Sequence, residues 1–277
     1  MFGLPVEELF ILALSLIVAG AIAGLLAGLF GIGGGAIFVP VLFQFFEVLH
    51  VPDSARVHVA IGTSLAIIAP TSLRSYLSHR KRGAVDQELL GHFFVSVPLG
   101  VVLGAIVASY TSGQGLIAIF AAIAFVVAIK MLFGKESWRI SDNLPGSTGR
   151  SITGIVIGFF STLMGIGGGI MTNTFMTLYN RPIHQAIATS SGVGVLISIP
   201  GAIGFIWAGW GNTDLPIFSV GFVNFLVIGL MVPVTILFAP LGVRLAHKLP
   251  KTILSKAFGI FLLLVSVRFV LALSGIQ

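Results

Sequence analysis

The chain has 277 residues, 56% of them apolar and only 9% charged, with 35 glycines, 23 phenylalanines and no cysteine. A soluble domain carries about 25% charged residues, so this chain lacks the polar surface needed to face water. Without a thiol it forms no disulfide scaffold, thiolate metal site or cysteine nucleophile. Its net charge of +6 falls in short runs between apolar stretches and builds no continuous basic face. That excludes nucleic acid as a partner and leaves the lipid bilayer: this is the composition of an integral membrane protein.

Crossing the roughly 30 Å hydrocarbon core takes about 20 apolar residues in a helix. In chain order, runs near that length occupy 9–30, 57–78, 89–110, 116–133, 186–208, 217–238 and 253–273, with shorter apolar pieces at 36–46, 151–164 and 170–178. The first run is no signal peptide, because Glu7 and Glu8 stand where a signal peptide has Lys or Arg. It is long enough to span, but symmetry with the second half favours a re-entrant hairpin. Arg80, Lys81 and Arg82 mark one loop as cytoplasmic, the bare loop at 110–115 goes outside, and Lys135, Arg139 and Arg150 return the chain inward. The loop at 209–216 is outside, Arg244, Lys248 and Lys251 are inside, and both termini are predicted outside. Of the 15 basic residues, only Arg56 and Arg268 then lie on the outer side. No Lys or Arg is expected near mid-membrane depth.

The sequence repeats itself. Gly31-Ile-Gly-Gly-Gly35 recurs as Gly165-Ile-Gly-Gly-Gly169, and His58-x-Ala-Ile-x-Thr63-Ser64 as His184-x-Ala-Ile-x-Thr189-Ser190. Corresponding loops fall on opposite sides, so the halves are inverted, an arrangement that places a substrate site at the repeat interface of many transporters. The fold class is therefore an all-α polytopic membrane protein. It consists of two inverted-topology repeats, each with a Gly-rich re-entrant helical hairpin and about three to four transmembrane helices. The first repeat covers 1–134, a cytoplasmic linker 135–149, and the second repeat 150–277.

Irregular backbone at membrane depth is tolerated only where protein or a wet cavity surrounds it. At Gly33, Gly34, Gly35, Gly167, Gly168 and Gly169, consecutive N–H groups can converge at the positive end of a following helix, a nest suited to an anion. The competing reading is that small residues merely let helices pack closely. Thr63, Ser64, Thr189 and Ser190 approach the midplane from opposite faces, where their hydroxyls either donate to an oxyanion or back-bond to a carbonyl of their own helix. Asn173, one turn past the second glycine turn, adds an amide on one side only, because its counterpart is Val39. No Asp or Glu lies mid-span, and there is no Walker loop, HExxH, GxSxG or paired carboxylate. The chain is therefore predicted to be no enzyme, with no catalytic residue, metal or cofactor.

At these residues the chain resembles the TauE/SafE (sulfite exporter) family of membrane permeases. Gly28-Leu-Phe-Gly-Ile-Gly-Gly-Gly35 with Pro40 is similar to the family's first signature, Ala60-Ile-Gly-Thr-Ser-Leu65 to its second, and Ala186-Ile-Ala-Thr-Ser190 to an echo of it. Thr174 stands where the first half has Pro40, a departure from the pattern. The resemblance implies a transporter in the cytoplasmic (inner) membrane of a prokaryote, exporting sulfite or a small organosulfonate such as sulfoacetate by alternating access, with a homodimer as the candidate assembly. A passive anion channel and a non-transporting anion sensor or scaffold are the alternatives.

Overall fold

A computed structural model describes residues 6–30, 35–134, 139–246 and 251–274. Its helices are α1 (Val6–Phe30), α2 (Gly35–Val48), α3 (Asp53–Lys81), α4 (Gln87–Tyr110), α5 (Gly113–Phe133), α6 (Ser147–Met164), α7 (Gly169–Leu178), α8 (Ile183–Ala208), α9 (Phe225–Ala246) and α10 (Lys251–Leu273). α4 and α5 start where a polar side chain satisfies a free N–H group of the first turn. Asp86 accepts from the Leu89 N–H at 3.0 Å to begin α4, and Ser112 accepts from the Gly115 N–H at 3.2 Å to begin α5.

Among the described residues, six helices are long and apolar enough to cross a membrane: α3, α4, α5, α8 and the stretches Phe225–Gly242 and Ser255–Leu273 of α9 and α10. The 14-residue α2 and the 10-residue α7 rise only about 21 and 15 Å, short of the roughly 30 Å core. The 25 residues of α1 rise about 38 Å.

The apolar run at 217–238 is not one helix. Strands β1 (Ser219–Val220) and β2 (Val223–Asn224) form an antiparallel hairpin before α9 begins at Phe225. Phe218 and Gly221 take positive φ values of 66° and 54°, and the Phe222 N–H donates to the Phe205 carbonyl at the end of α8 at 3.0 Å. Within the hairpin Phe222 and Val223 are buried against protein, while Ile217, Phe218 and Val220 stay exposed.

Packing exchanges helices between the halves. α1 lies against α9 and α6 against α4, while α2 packs on α3 and α7 on α8. Glycine pairs set the first two contacts. Gly20 and Gly24 of α1 meet Met231 and Thr235 of α9, and Gly154 and Gly158 of α6 meet Ser96 and Val97 of α4, so both pairs run parallel. These two Gly-x-x-x-Gly pairs keep the register that relates Gly31 to Gly165. The central pair α3 and α8 runs antiparallel: Leu65 packs on Gly201, Ser72 on Gly194 and Tyr76 on Gly192. So does the pair α5 and α10, where the Ser266 and Ser255 hydroxyls donate to the Ala121 and Met131 carbonyls at 2.9 and 3.2 Å. α3 is the most enclosed spanning helix, 67% buried over its apolar window against 22–39% for the other five.

Candidate functional site

The second glycine turn is built from two left-handed glycines. α6 ends with Gly165 at φ 64°, whose N–H donates to the Thr162 carbonyl at 3.1 Å while the Ile166 N–H donates to Ser161 at 2.9 Å. This is the double-bonded helix stop that favours glycine. Gly168, at φ 69°, then starts α7 with no side-chain cap. The first N–H groups of α7 therefore have neither an intrahelical nor a capping partner, which concentrates positive partial charge at that end.

The turn is held in the middle of the molecule. Gly167 lies against Ile68 of α3 and Gly194 of α8, and the Ser64 hydroxyl donates to the Gly165 carbonyl at 2.8 Å. Gly35, the first residue of α2, packs directly on the same segment: a methyl group there would lie 2.5 Å from the Gly165 carbonyl oxygen and 2.6 Å from Ile166 Cα. Gly33 and Gly34 fall outside the described residues. The start of α2 and the glycine turn before α7 thus meet between α3 and α8.

All four hydroxyl residues singled out from the sequence are buried. Thr63 accepts the Asn224 N–H at 3.0 Å, and Thr189 accepts the Asp86 N–H at 2.9 Å. Asn224 and Asp86 correspond in turn: the Asn224 amide oxygen accepts from the Val227 N–H at 3.1 Å at the start of α9, as Asp86 does from Leu89 at the start of α4. Each central helix therefore latches the beginning of a helix from the other half. Ser64 and Ser190 differ, because Ser190 donates to the Ile187 carbonyl of its own helix at 2.9 Å. Asn173 is on α7 as expected, and its amide oxygen is buried with no hydrogen-bond partner among the described residues, as is the Thr172 hydroxyl.

Sequence reading did not foresee the Thr–Asn and Thr–Asp latches, whose partners lie 161 and 103 residues apart. Replacing Thr63 or Thr189 by Val keeps the shape but strands the buried N–H of Asn224 or the half-buried one of Asp86. Each substitution is expected to lower stability by about 1–3 kcal/mol, measurable as a lower unfolding temperature of the detergent-purified protein. Ser191→Ala, which removes only a local bond to the Ala188 carbonyl, should shift it far less.

Two other residues have structural roles. His58 Nε2 lies 3.1 Å from both the Ala108 and Thr111 carbonyls, joining α3 to the end of α4, and its ring stacks on Phe222 at 4.8 Å. Arg56 is engaged by Asp53 at 2.8 Å and Glu47 at 3.5 Å, with its guanidinium 5.5 Å from the centre of the Phe43 ring. Among the described residues no group of three or more His, Cys, Asp or Glu side chains is placed to hold a metal.

The sequence profile of the family "Sulfite exporter TauE/SafE" matches residues 16–269. A "Probable membrane transporter protein" of Haemophilus influenzae is 33% identical over 263 residues, covering 95% of this chain and all of the relative. A probable membrane transporter protein of Methanocaldococcus jannaschii is 31% identical over 254 residues, covering 89% and 90% of the two chains. No solved structure matches the chain. The duplicated glycine motif, the paired Thr-Ser segments and this near-complete match place the chain in the sulfite exporter TauE/SafE family of membrane transporters.

Proposed function

We propose that this transporter exports a small sulfur oxyanion, sulfite or a small organosulfonate, by alternating access between two inverted repeats at 1–134 and 150–277. The observation that carries the reading is the meeting of Gly35 with the Gly165–Ile166 segment between α3 and α8. There the beginnings of two short helices present N–H groups suited to an anion. Gly33, Gly34, Gly35, Gly167, Gly168 and Gly169 are assigned as backbone donors, with Thr63, Ser64, Thr189, Ser190 and Asn173 around them. The antiparallel run of α3 against α8 and of α5 against α10 supports inversion, since each pair joins equivalent helices of the two halves. α2 and α7, too short to span, support re-entrant hairpins. The two Thr latches support alternating access: one closes on the loop before α9, the other on the loop before α4, and opening either would expose the centre from one side.

Flux into proteoliposomes tests the function. Saturable sulfite or sulfoacetate uptake that depends on an ion gradient is expected; flux linear in concentration would make the protein a channel, and binding without flux a sensor. The absence of native cysteine allows the topology to be tested with single cysteines. Those at Gln114 and Asn212 should react from outside, and those at Gly83 and Ser147 only after permeabilisation. Labelling of Gly83→Cys from outside would overturn the inverted arrangement and the assignment of outward-facing termini in a prokaryotic inner membrane.

A further inference from the structure

Several basic residues lie within the spanning helices, Arg74 of α3, Lys130 of α5 and Arg268 of α10 among them. Lys130, in the last turn of α5, is half-buried, and its ammonium donates to the Thr174 hydroxyl on α7 at 2.5 Å. An ammonium this close to the end of a spanning helix can extend to the interface; this one instead crosses to a neighbouring helix. Among the described residues the ion pairs are those of Arg56 with Glu47 and Asp53 and of Arg150 with Glu88, so no carboxylate neutralises Lys130. A cation held between helices with no carboxylate against it among the described residues is expensive, and intramembrane charges mark ion and substrate pathways.

Its surroundings indicate which pathway. One turn earlier on each helix, Val127 and Met171 line a small, mainly apolar cavity of about 10 Å³. Ser161 and Gly168 also line it, so the cavity reaches the glycine that starts α7. Beside the Thr174 partner of Lys130, α7 carries a Thr172 hydroxyl and an Asn173 amide oxygen that are buried without a hydrogen-bond partner among the described residues. The basic residue also recurs in the repeat: Val127-Ala-Ile-Lys130 on α5 corresponds to Val265-Ser-Val-Arg268 on α10, in the register that relates Asp86 to Asn224.

We propose that Lys130 is an anion-binding residue on the approach to the second glycine turn, where its ammonium exchanges the Thr174 hydroxyl for an oxygen of a small sulfonate or sulfite. The Thr174 bond holds the side chain between α5 and α7, and a neutral hydroxyl is a weak enough partner to be displaced by an anion. A carboxylate partner would compete with the cargo. The charge gathers anions in front of the turn, and the uncharged N–H groups of Gly167–Gly169 then receive them.

This inference rests on the anion-transport reading, and its test needs no transport. A cysteine replacing Met171 in the naturally cysteine-free full-length protein is labelled in inside-out vesicles with the anionic sulfonatoethyl and the cationic trimethylammonioethyl methanethiosulfonates. The anionic reagent should react faster, with the preference falling about tenfold in Lys130→Gln, the lower end of electrostatic focusing effects, and surviving in Lys130→Arg. Methanesulfonate, but not equimolar sodium chloride, should protect the cysteine, and Lys130→Gln should need about ten times more for the same protection. Unchanged protection in Lys130→Gln, or no reaction with either reagent, overturns the proposal. Should Lys130→Gln fail to fold, a preference in the Met171→Cys protein that does not weaken with added salt overturns it equally. Absence of sulfite flux alongside intact, Lys130-dependent protection would instead overturn transport and leave the binding residue standing.

Discussion

Alanine at Gly168 is expected to give a protein that inserts and purifies as a single species yet moves no sulfite. Gly168 holds φ 69°, where a Cβ costs about 1–2 kcal/mol, and the methyl group would press on the Cδ1 atom of Ile197, the movable tip of a side chain. A folded protein with about 5–15 kcal/mol in hand tolerates that cost. The turn does not, because relaxing φ re-aims the N–H groups that start α7, and a backbone nest depends on their direction. Strain and site are separated by Gly83, which has φ 66° with nothing within 4 Å of where its Cβ would be. Gly83→Ala carries a similar backbone penalty in a loop and should transport normally. Equal flux losses in the two variants would show that the Gly168 effect is general destabilisation; normal flux in both would remove the second glycine turn from the binding site.

The largest loss of stability is expected at the contact between α4 and α6. A methyl group on Gly158 would run into the Val97 carbonyl and lie 3.0 Å from the Val101 nitrogen; on Gly100 it would strike the Ile155 carbonyl. Backbone opposes backbone on both sides, so no side chain can move aside. Overpacking of this kind costs about 1–3 kcal/mol and occasionally more, and Gly100→Ala together with Gly158→Ala should yield little monodisperse protein. Gly91, also in α4, has nothing within 4 Å of where its Cβ would be, so Gly91→Ala should be neutral or gain up to about 1 kcal/mol from helix propensity. Size-exclusion profiles and unfolding temperatures would decide; a stable Gly158→Ala protein would mean that the two helices are not packed as described.

The apolar runs, the duplicated glycine motif and the paired Thr-Ser segments were legible because each is a local pattern with a physical cause. Hydropathy misread 217–238 because it registers burial without distinguishing lipid from protein, and Phe222 and Val223 are buried against their own chain. Lys130 was legible only as one of the basic residues of the cytoplasmic side; its bond to Thr174 on α7 depends on how the helices pack. What binds Thr63 and Thr189 could not be read at all: their partners are backbone N–H groups, which every non-proline residue possesses, and only the three-dimensional path brings Asn224 and Asp86 to them.

The exchange of helices between the halves also shapes how the protein is made. α6 leaves the ribosome when its partner α4 is already complete, and the two can join at once. α1 emerges long before α9 and must remain beside lipid until α9 follows, roughly 200 residues or about 10–40 s of synthesis later. Throughout that interval the bare Gly20–Gly24 face has no mate. A segment made before its own half is finished thus waits for a helix of the other, so the first half is completed only by the arrival of the second.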